Sequence, residues 1–201
     1  MRRHGLGPRA ERYMGHALGL LILWGAFAHS QPANADPFGD GVAAFLAGDY
    51  ETALKIARPL AAQGDARAQD FLGEMYEDGD GVAQDYQEAL KWYRLSAHQG
   101  SSWAQVDLGK MYANGKGTPS DIVRSYMWFD VGSTASTAVN DIQSATEKRA
   151  IVSAAMTPAQ VAQAQDMAKV CRKTNYKSCG ESDEKLIDKV RGWLFSHWPL
   201  K

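Results

Sequence analysis

Residues 65–100 read DARAQDFLGEMYEDGDGVAQDYQEALKWYRLSAHQG, and residues 101–136 read SSWAQVDLGKMYANGKGTPSDIVRSYMWFDVGSTAS. Laid one beneath the other at an offset of 36 residues, Ala68 falls on Ala104, Leu72 on Leu108, Gly73 on Gly109, Met75 on Met111 and Tyr76 on Tyr112. The coincidence continues through Gly79 and Gly115, Gly81 and Gly117, Asp85 and Asp121, Trp92 and Trp128, and Tyr93 and Phe129. A fixed period of this length marks a repeat architecture, in which each unit buries its apolar side against the next. Further upstream, Ala53, Ala61, Gln63 and Gly64 align with Ala89, Ala97, Gln99 and Gly100, so an earlier unit precedes these two.

Each unit reads as two helices. In the first, Ala68, Phe71, Leu72, Met75 and Tyr76 recur at three- and four-residue steps, the spacing of one helical face. Gly79-Asp80-Gly81 ends that helix, because glycine accepts the positive φ of a helix stop. Asp85 then supplies an oxygen for the orphan amides of a second helix, with Glu88 three residues on in a capping-box pattern. Ala89, Leu90, Trp92, Tyr93 and Ala97 give the second helix its buried side, and Gly100 closes it.

The pattern Ala-x-x-x-Leu-Gly-x-x-Tyr, Gly-x-Gly, Ala-x-x-Trp-Tyr and a closing Gly resembles the Sel1-like repeat family, a relative of the tetratricopeptide repeats. The resemblance spans roughly residues 38–179. It implies an all-α, right-handed solenoid of αα-hairpins, with residues 36–64 as an N-terminal capping repeat, 65–100 and 101–137 as repeats, and 138–180 as a degenerate helical pair. Within that pair, helices are expected over Asp141–Met156 and Thr157–Arg172, with Thr157 as N-cap and Pro158 at the first helical position. Thr134 to Ala138 is too polar and β-branched to extend the preceding helix. The stretch from Met156 to Ala168 is similar to the C-terminal ends of exported bacterial members of the family. A last amphipathic segment, Ser182–Phe195, offers Leu186, Ile187, Val190, Trp193 and Leu194 and is expected as a capping helix within residues 181–201.

Composition and charge exclude several classes. A chain that is 45% hydrophobic and 22% charged is neither a disordered tail nor a membrane bundle. The formal net charge of −1 leaves no basic footprint for nucleic acid. Residues 1–35 read as a secretory signal: Arg2, Arg3, Arg9 and Arg12 against Glu11, then an apolar run from Gly15 to Ala28, then Ala33-Asn34-Ala35 as a small-x-small cleavage site. Ala28-His29-Ser30 is a second choice, and an uncleaved N-terminal anchor is the competing reading. Cleavage after Ala35 leaves 18 basic and 22 acidic residues, a net charge of −4, and a periplasmic or secreted protein with no stable membrane span.

Candidate chemistry is sparse. The Gly-x-Gly turns recur in register, follow no strand and precede no Gly-Lys-Ser/Thr, so they are turns rather than phosphate loops. His98 stands near a helix end, where an imidazole meets free carbonyls. No catalytic or metal-ligating constellation and no cofactor motif emerges. The reading is therefore a non-enzymatic module that binds a protein or peptide of the cell envelope. Cysteine-rich members of the family suggest the alternative of a hydrolase acting on β-lactam or peptidoglycan substrates, and retention of the signal would make an inner-membrane-tethered adaptor.

First helices of stacked hairpins line a common concave face, and their positions outside the apolar stripe point into it. The register pairs Arg67 with Trp103, Asp70 with Val106 and Glu74 with Lys110, a candidate partner-binding set with one aromatic anchor. Trp92 and Trp128, at one register position within the stripe, are core. Cys171 and Cys179, eight apart in a chain read as exported, are expected to form a disulfide. Cysteine-rich relatives use the same spacing, and the pair is not the Cys-x-x-Cys of redox catalysts.

Overall fold

The computed structural model describes residues 36–136 and 138–179, and among them eight α-helices and no strand. The segments read as a signal, 1–35, and as a capping helix, Ser182–Phe195, lie outside the described residues. The chain divides into two compact units at Ala57/Arg58.

The first unit contains α1 (Pro37–Leu46) and the start of α2 (Tyr50–Ala62). Asp36 caps α1 by accepting from the Phe38 amide, with Pro37 at the first helical position, where its missing N–H costs nothing. Gly41 is where the two helices approach: a Cβ there would stand 3.2 Å from Ile56 Cγ2. Asp49 caps α2 through the Thr52 amide at 3.0 Å. Hydrogen bonding from the Thr52 side chain, and then from its amide, holds the Asp49 carboxyl below its ordinary pKa.

The second unit holds α3 (Ala66–Asp78), α4 (Tyr86–Ala97), α5 (Ser102–Asn114), α6 (Ile122–Ala135), α7 (Val139–Ser153) and α8 (Pro158–Lys173). Helices α3 and α4 pack as one hairpin, α5 and α6 as the next, and α4 packs on α5. The 36-residue period is visible atom by atom. Gly79 and Gly115 end the first helices in the left-handed region, and their amides donate to the Met75 and Met111 carbonyls at 2.9 Å in the former case. Asp85 and Asp121 cap the second helices, and their own amides donate to Tyr76 and Tyr112, each at 2.9 Å. Gln69 and Gln105, both buried, donate through Nε2 to the Ala61 and Ala97 carbonyls at 3.0 and 3.1 Å. Each amide side chain ties a first helix to the end of the preceding second helix, as a second donor to a carbonyl that also accepts from the Gly64 or Gly100 amide.

Within each hairpin an aromatic ring lies flat against a glycine. A Cβ on Gly73 would stand 2.6 Å from Tyr93 Cδ1, and one on Gly109 only 2.5 Å from Phe129 Cε1. The Leu-Gly pair of the repeat therefore exists because the facing ring occupies the place of a side chain. Trp128 is fully buried and Trp92 nearly so, as their place in the stripe implies.

Helix α6 ends at Ala135, two residues into the polar stretch Thr134 to Ala138 expected not to extend it. Ser133 donates to the Asp130 carbonyl at 2.8 Å and Thr134 to that of Val131 at 2.9 Å, so both hydroxyls are satisfied within the helix itself. Helices α7 and α8 both pack on α6. Helix α8 opens with a complete capping box between Thr157 and Gln160 and with Pro158 at its first position. Cys171 and Cys179 are bridged, with their Cα atoms 4.4 Å apart, and both are fully buried in the same core as Trp128, Met127 and Tyr93.

Candidate protein-binding face

The six residues read as a binding set divide into two groups. Trp103, on the first turn of α5, is 37% exposed, and Arg67, at the equivalent place in α3, has a half-exposed guanidinium held by Asp65 at 3.0 Å. Lys110, two turns along α5 from Trp103, pairs with Asp107 at 2.6 Å and is partly exposed. These three keep surface that a partner can reach.

The other three do not. Val106, 7% exposed, packs with Phe129 and Ala145 in a cluster to which Val152 also contributes, and its Cγ2 faces Gly132. It is a core residue, at a position that is buried in both units, and α7 adds Ala145 and Val152 to the apolar cluster around it. Asp70 and Glu74 are 3% and 5% exposed, so the acidic part of the expected face is buried as well. The face is consequently narrower than its register implies: an aromatic and an arginine at the helix starts, with a lysine beyond.

Two ionisable groups near this surface are shifted by their surroundings. Burial raises the pKa of Asp65, but the Arg67 side chain and the Ala68 and Arg67 amides outweigh it, so the carboxyl stays below its ordinary value. Burial, and then the nearby charge of Lys110, lowers the pKa of Lys148 on α7, whose ammonium donates to Ser144 at 2.7 Å.

Two polar assemblies escaped sequence reasoning. Asp130 on α6 accepts from Arg149 on α7 and from Arg172 on α8, the latter at 2.7 Å, and so fastens both terminal helices to the last hairpin. Its register equivalent is Arg94, a change of charge at a buried position that was the available signal. Glu77 accepts from the Tyr93 hydroxyl at 3.0 Å and from Lys116 at 2.9 Å, joining two successive units. His98 does meet a carbonyl, as its place near a helix end implied, but that carbonyl belongs to Tyr176, 78 residues away.

Among the described residues no group of three or more His, Cys, Asp or Glu side chains is placed to hold a metal ion, and no helix is long and apolar enough to cross a membrane. Stacked helical hairpins, each closed by a ring-on-glycine contact and tied to the helix before it by a repeated amide bond, define a helical-repeat protein. Residues 66–101 and 104–130 match the Sel1 repeat family, and the chain carries Sel1-like repeats there.

One solved structure shares the fold. The chain is 30% identical to c5321, described as a protective antigen present in uropathogenic Escherichia coli strains displaying an SLR fold, with a TM-score of 0.63 over 76% of this chain and 32% of that one. A Sel1 repeat protein from Oxalobacter formigenes is 25% identical, with a TM-score of 0.47 over 59% of this chain and 55% of the other. The chain thus spans about a third and about half of the lengths of these two structures. No curated protein matches it.

Proposed function

We propose that the chain is an exported, non-enzymatic binding module of the bacterial periplasm that engages a protein or peptide of the cell envelope through the face carrying Trp103 and Arg67, with Lys110 at its edge. The observation that carries this reading is Trp103, a large aromatic left 37% exposed on the first turn of a repeat helix, in register with an exposed arginine. Trp and Arg are the residue types that dominate binding energy at protein interfaces, and the surrounding helices hold both in fixed positions. Export is supported by the tripartite pattern of residues 1–35 and by the Cys171–Cys179 bridge, since disulfides persist in oxidising compartments.

The test joins two measurements. Full-length protein expressed in a Gram-negative cell should be recovered from the periplasm with Ala35 removed and Asp36 at its N-terminus. Immobilised on a surface, it should retain partners from a periplasmic extract, and Trp103→Ala with Arg67→Ala should weaken that retention while helicity and melting stay unchanged. The same partners, equally retained by the double variant, would remove this face from consideration.

A further inference from the structure

The loop closed by the disulfide reaches back to the α4–α5 turn. Tyr176 lays its ring over Gly100, where a Cβ would stand 3.0 Å from Cε2, and its carbonyl accepts from His98 Nδ1. His98 in turn meets the Trp128 ring edge-on at 6.0 Å. The loop holds this pose with Asn175 and Tyr176 both at positive φ, 52° and 65°. Two consecutive non-glycine residues in the left-handed region persist only where surrounding contacts over-determine them. The constraints are the bridge itself, the Tyr176 amide donating to the Cys171 carbonyl at 2.9 Å, and Ser178 donating to the Thr174 hydroxyl at 3.0 Å.

The repeat supplies an internal comparison. Gly64 occupies the register position of Gly100 and shares its left-handed conformation, yet among the described residues nothing lies within 4 Å of the place of its Cβ, and Ala62 stands where the other turn has His98. One turn is covered and equipped with a donor, and its counterpart is bare. The covered turn leads straight into Ser101, the N-cap of α5, and so into the first turn that carries Trp103.

We propose that the Cys171–Cys179 loop is a thiol-sensitive clasp on the α4–α5 turn: bridge and docking hold each other in place, and losing either one loosens residues 97–104. Both sulfurs are fully buried, so a reductant reaches them only when the loop lifts. The reductant is a dithiol: its thiolate attacks one sulfur and breaks the S–S bond, its second thiol closes a cyclic disulfide on the first, and two electrons and two protons pass to Cys171 and Cys179. The consequence for partner binding rests on the function proposed above. The clasp itself does not, and it is measured with no partner present.

Hydrogen exchange followed by mass spectrometry compares the oxidised protein, the protein reduced with dithiothreitol, and oxidised Tyr176→Ala. The expected result is a tenfold or greater loss of amide protection over residues 97–104 in both altered forms, with protection over 61–68, the equivalent bare turn, unchanged. Tyr176→Ala should also be reduced at least tenfold faster at a fixed dithiothreitol concentration, because its loop lifts more often. Unchanged protection at 97–104, an equal loss at both turns, or an unaltered reduction rate in Tyr176→Ala would each overturn the clasp.

Discussion

Gly109→Ala sets two physical effects against each other with opposite signs. In the middle of a helix, alanine is favoured over glycine by about 1 kcal/mol, so propensity alone makes this variant more stable. Against this, the new Cβ would stand 2.5, 2.6 and 2.9 Å from three atoms of the Phe129 ring. Phe129 is 2% exposed and packs against Val106 and Ala145, which leaves the ring no open direction in which to swing. Overpacking of a well-filled core costs about 1–3 kcal/mol, and three overlaps with a trapped ring place this case at the upper end. The net expectation is a destabilisation of about 2 kcal/mol, a fall in Tm of roughly 5 °C for a chain of this length. Thermal melts and urea unfolding of the oxidised protein read it directly. In a Phe129→Leu background the smaller side chain yields, so the same substitution should lose most of its penalty, and the double-mutant cycle should return a coupling above about 1 kcal/mol. A Gly109→Ala protein more stable than its parent, or an equal penalty in both backgrounds, would refute the idea that the Leu-Gly pair exists to seat a ring.

Asp130→Asn should destabilise the protein by about 2 kcal/mol, below the range for a fully buried pair because both arginines keep a third of their surface in water; hydrogen exchange should show the loss concentrated in α7 and α8. Reducing the Cys171–Cys179 bridge should cost about 2–3 kcal/mol, the value for so short a closed loop, seen as a lower Tm in dithiothreitol. Gln105→Leu should cost about 1 kcal/mol by removing the buried bond that ties α5 to the Ala97 carbonyl, which keeps only its Gly100 amide donor, measured as a lower urea midpoint. The Asp65 carboxyl is lowered in the folded state, so its contribution is present above the unfolded-state value of 3.8 and fades as pH falls through the lower folded one. Asp65→Ala should accordingly lower the urea midpoint at pH 7, and the difference from wild type should shrink in strong acid.

The fold was legible because its determinants are local and repeated. Stripe, stop glycine and capping aspartate lie within one period, so a 36-residue offset exposes them together, and Thr157-Pro158 with Gln160 announces α8 in the same way. Where a helix departs from such punctuation, sequence reasoning slips. Helix α7 begins at Val139, two residues before the expected Asp141, because Ala138 offers no capping side chain and Ser136 bonds to Asp141 and the Ala138 amide instead. Helix α6 outruns its expected end because Ser133 and Thr134 turn their hydroxyls back onto their own helix. The binding face was only half legible for a related reason. Register states which residues of two hairpins are equivalent but not which of them are exposed, and Asp70 and Val106, one position in two units, are both buried.

The period and its departures carry different information. Positions identical in both units, such as Gly73 and Gly109 or Gln69 and Gln105, make each hairpin and tie it to the one before. Positions where the units differ make contacts that occur once. Glu77 bonds to Lys116, whereas Ala113 at the same register has no carboxylate to offer. Ser96 donates to the Ala66 carbonyl at 2.7 Å, while Gly132, its equivalent, makes room for Val106 and the Ser102 carbonyl. Arg94 bonds to the Tyr112 hydroxyl at 2.6 Å, and Asp130 in its place gathers the arginines of α7 and α8. His98 and Ala62 differ in the same sense, one facing the Tyr176 loop and one facing nothing comparable. A stack built only of identical units has no intrinsic end and no unique order. The substitutions between these units supply both, because Asp130 and His98 can receive α8 and its loop while Arg94 and Ala62 cannot. The last helices are thereby directed to one hairpin, which leaves Trp103 on α5 beside the turn that the loop covers.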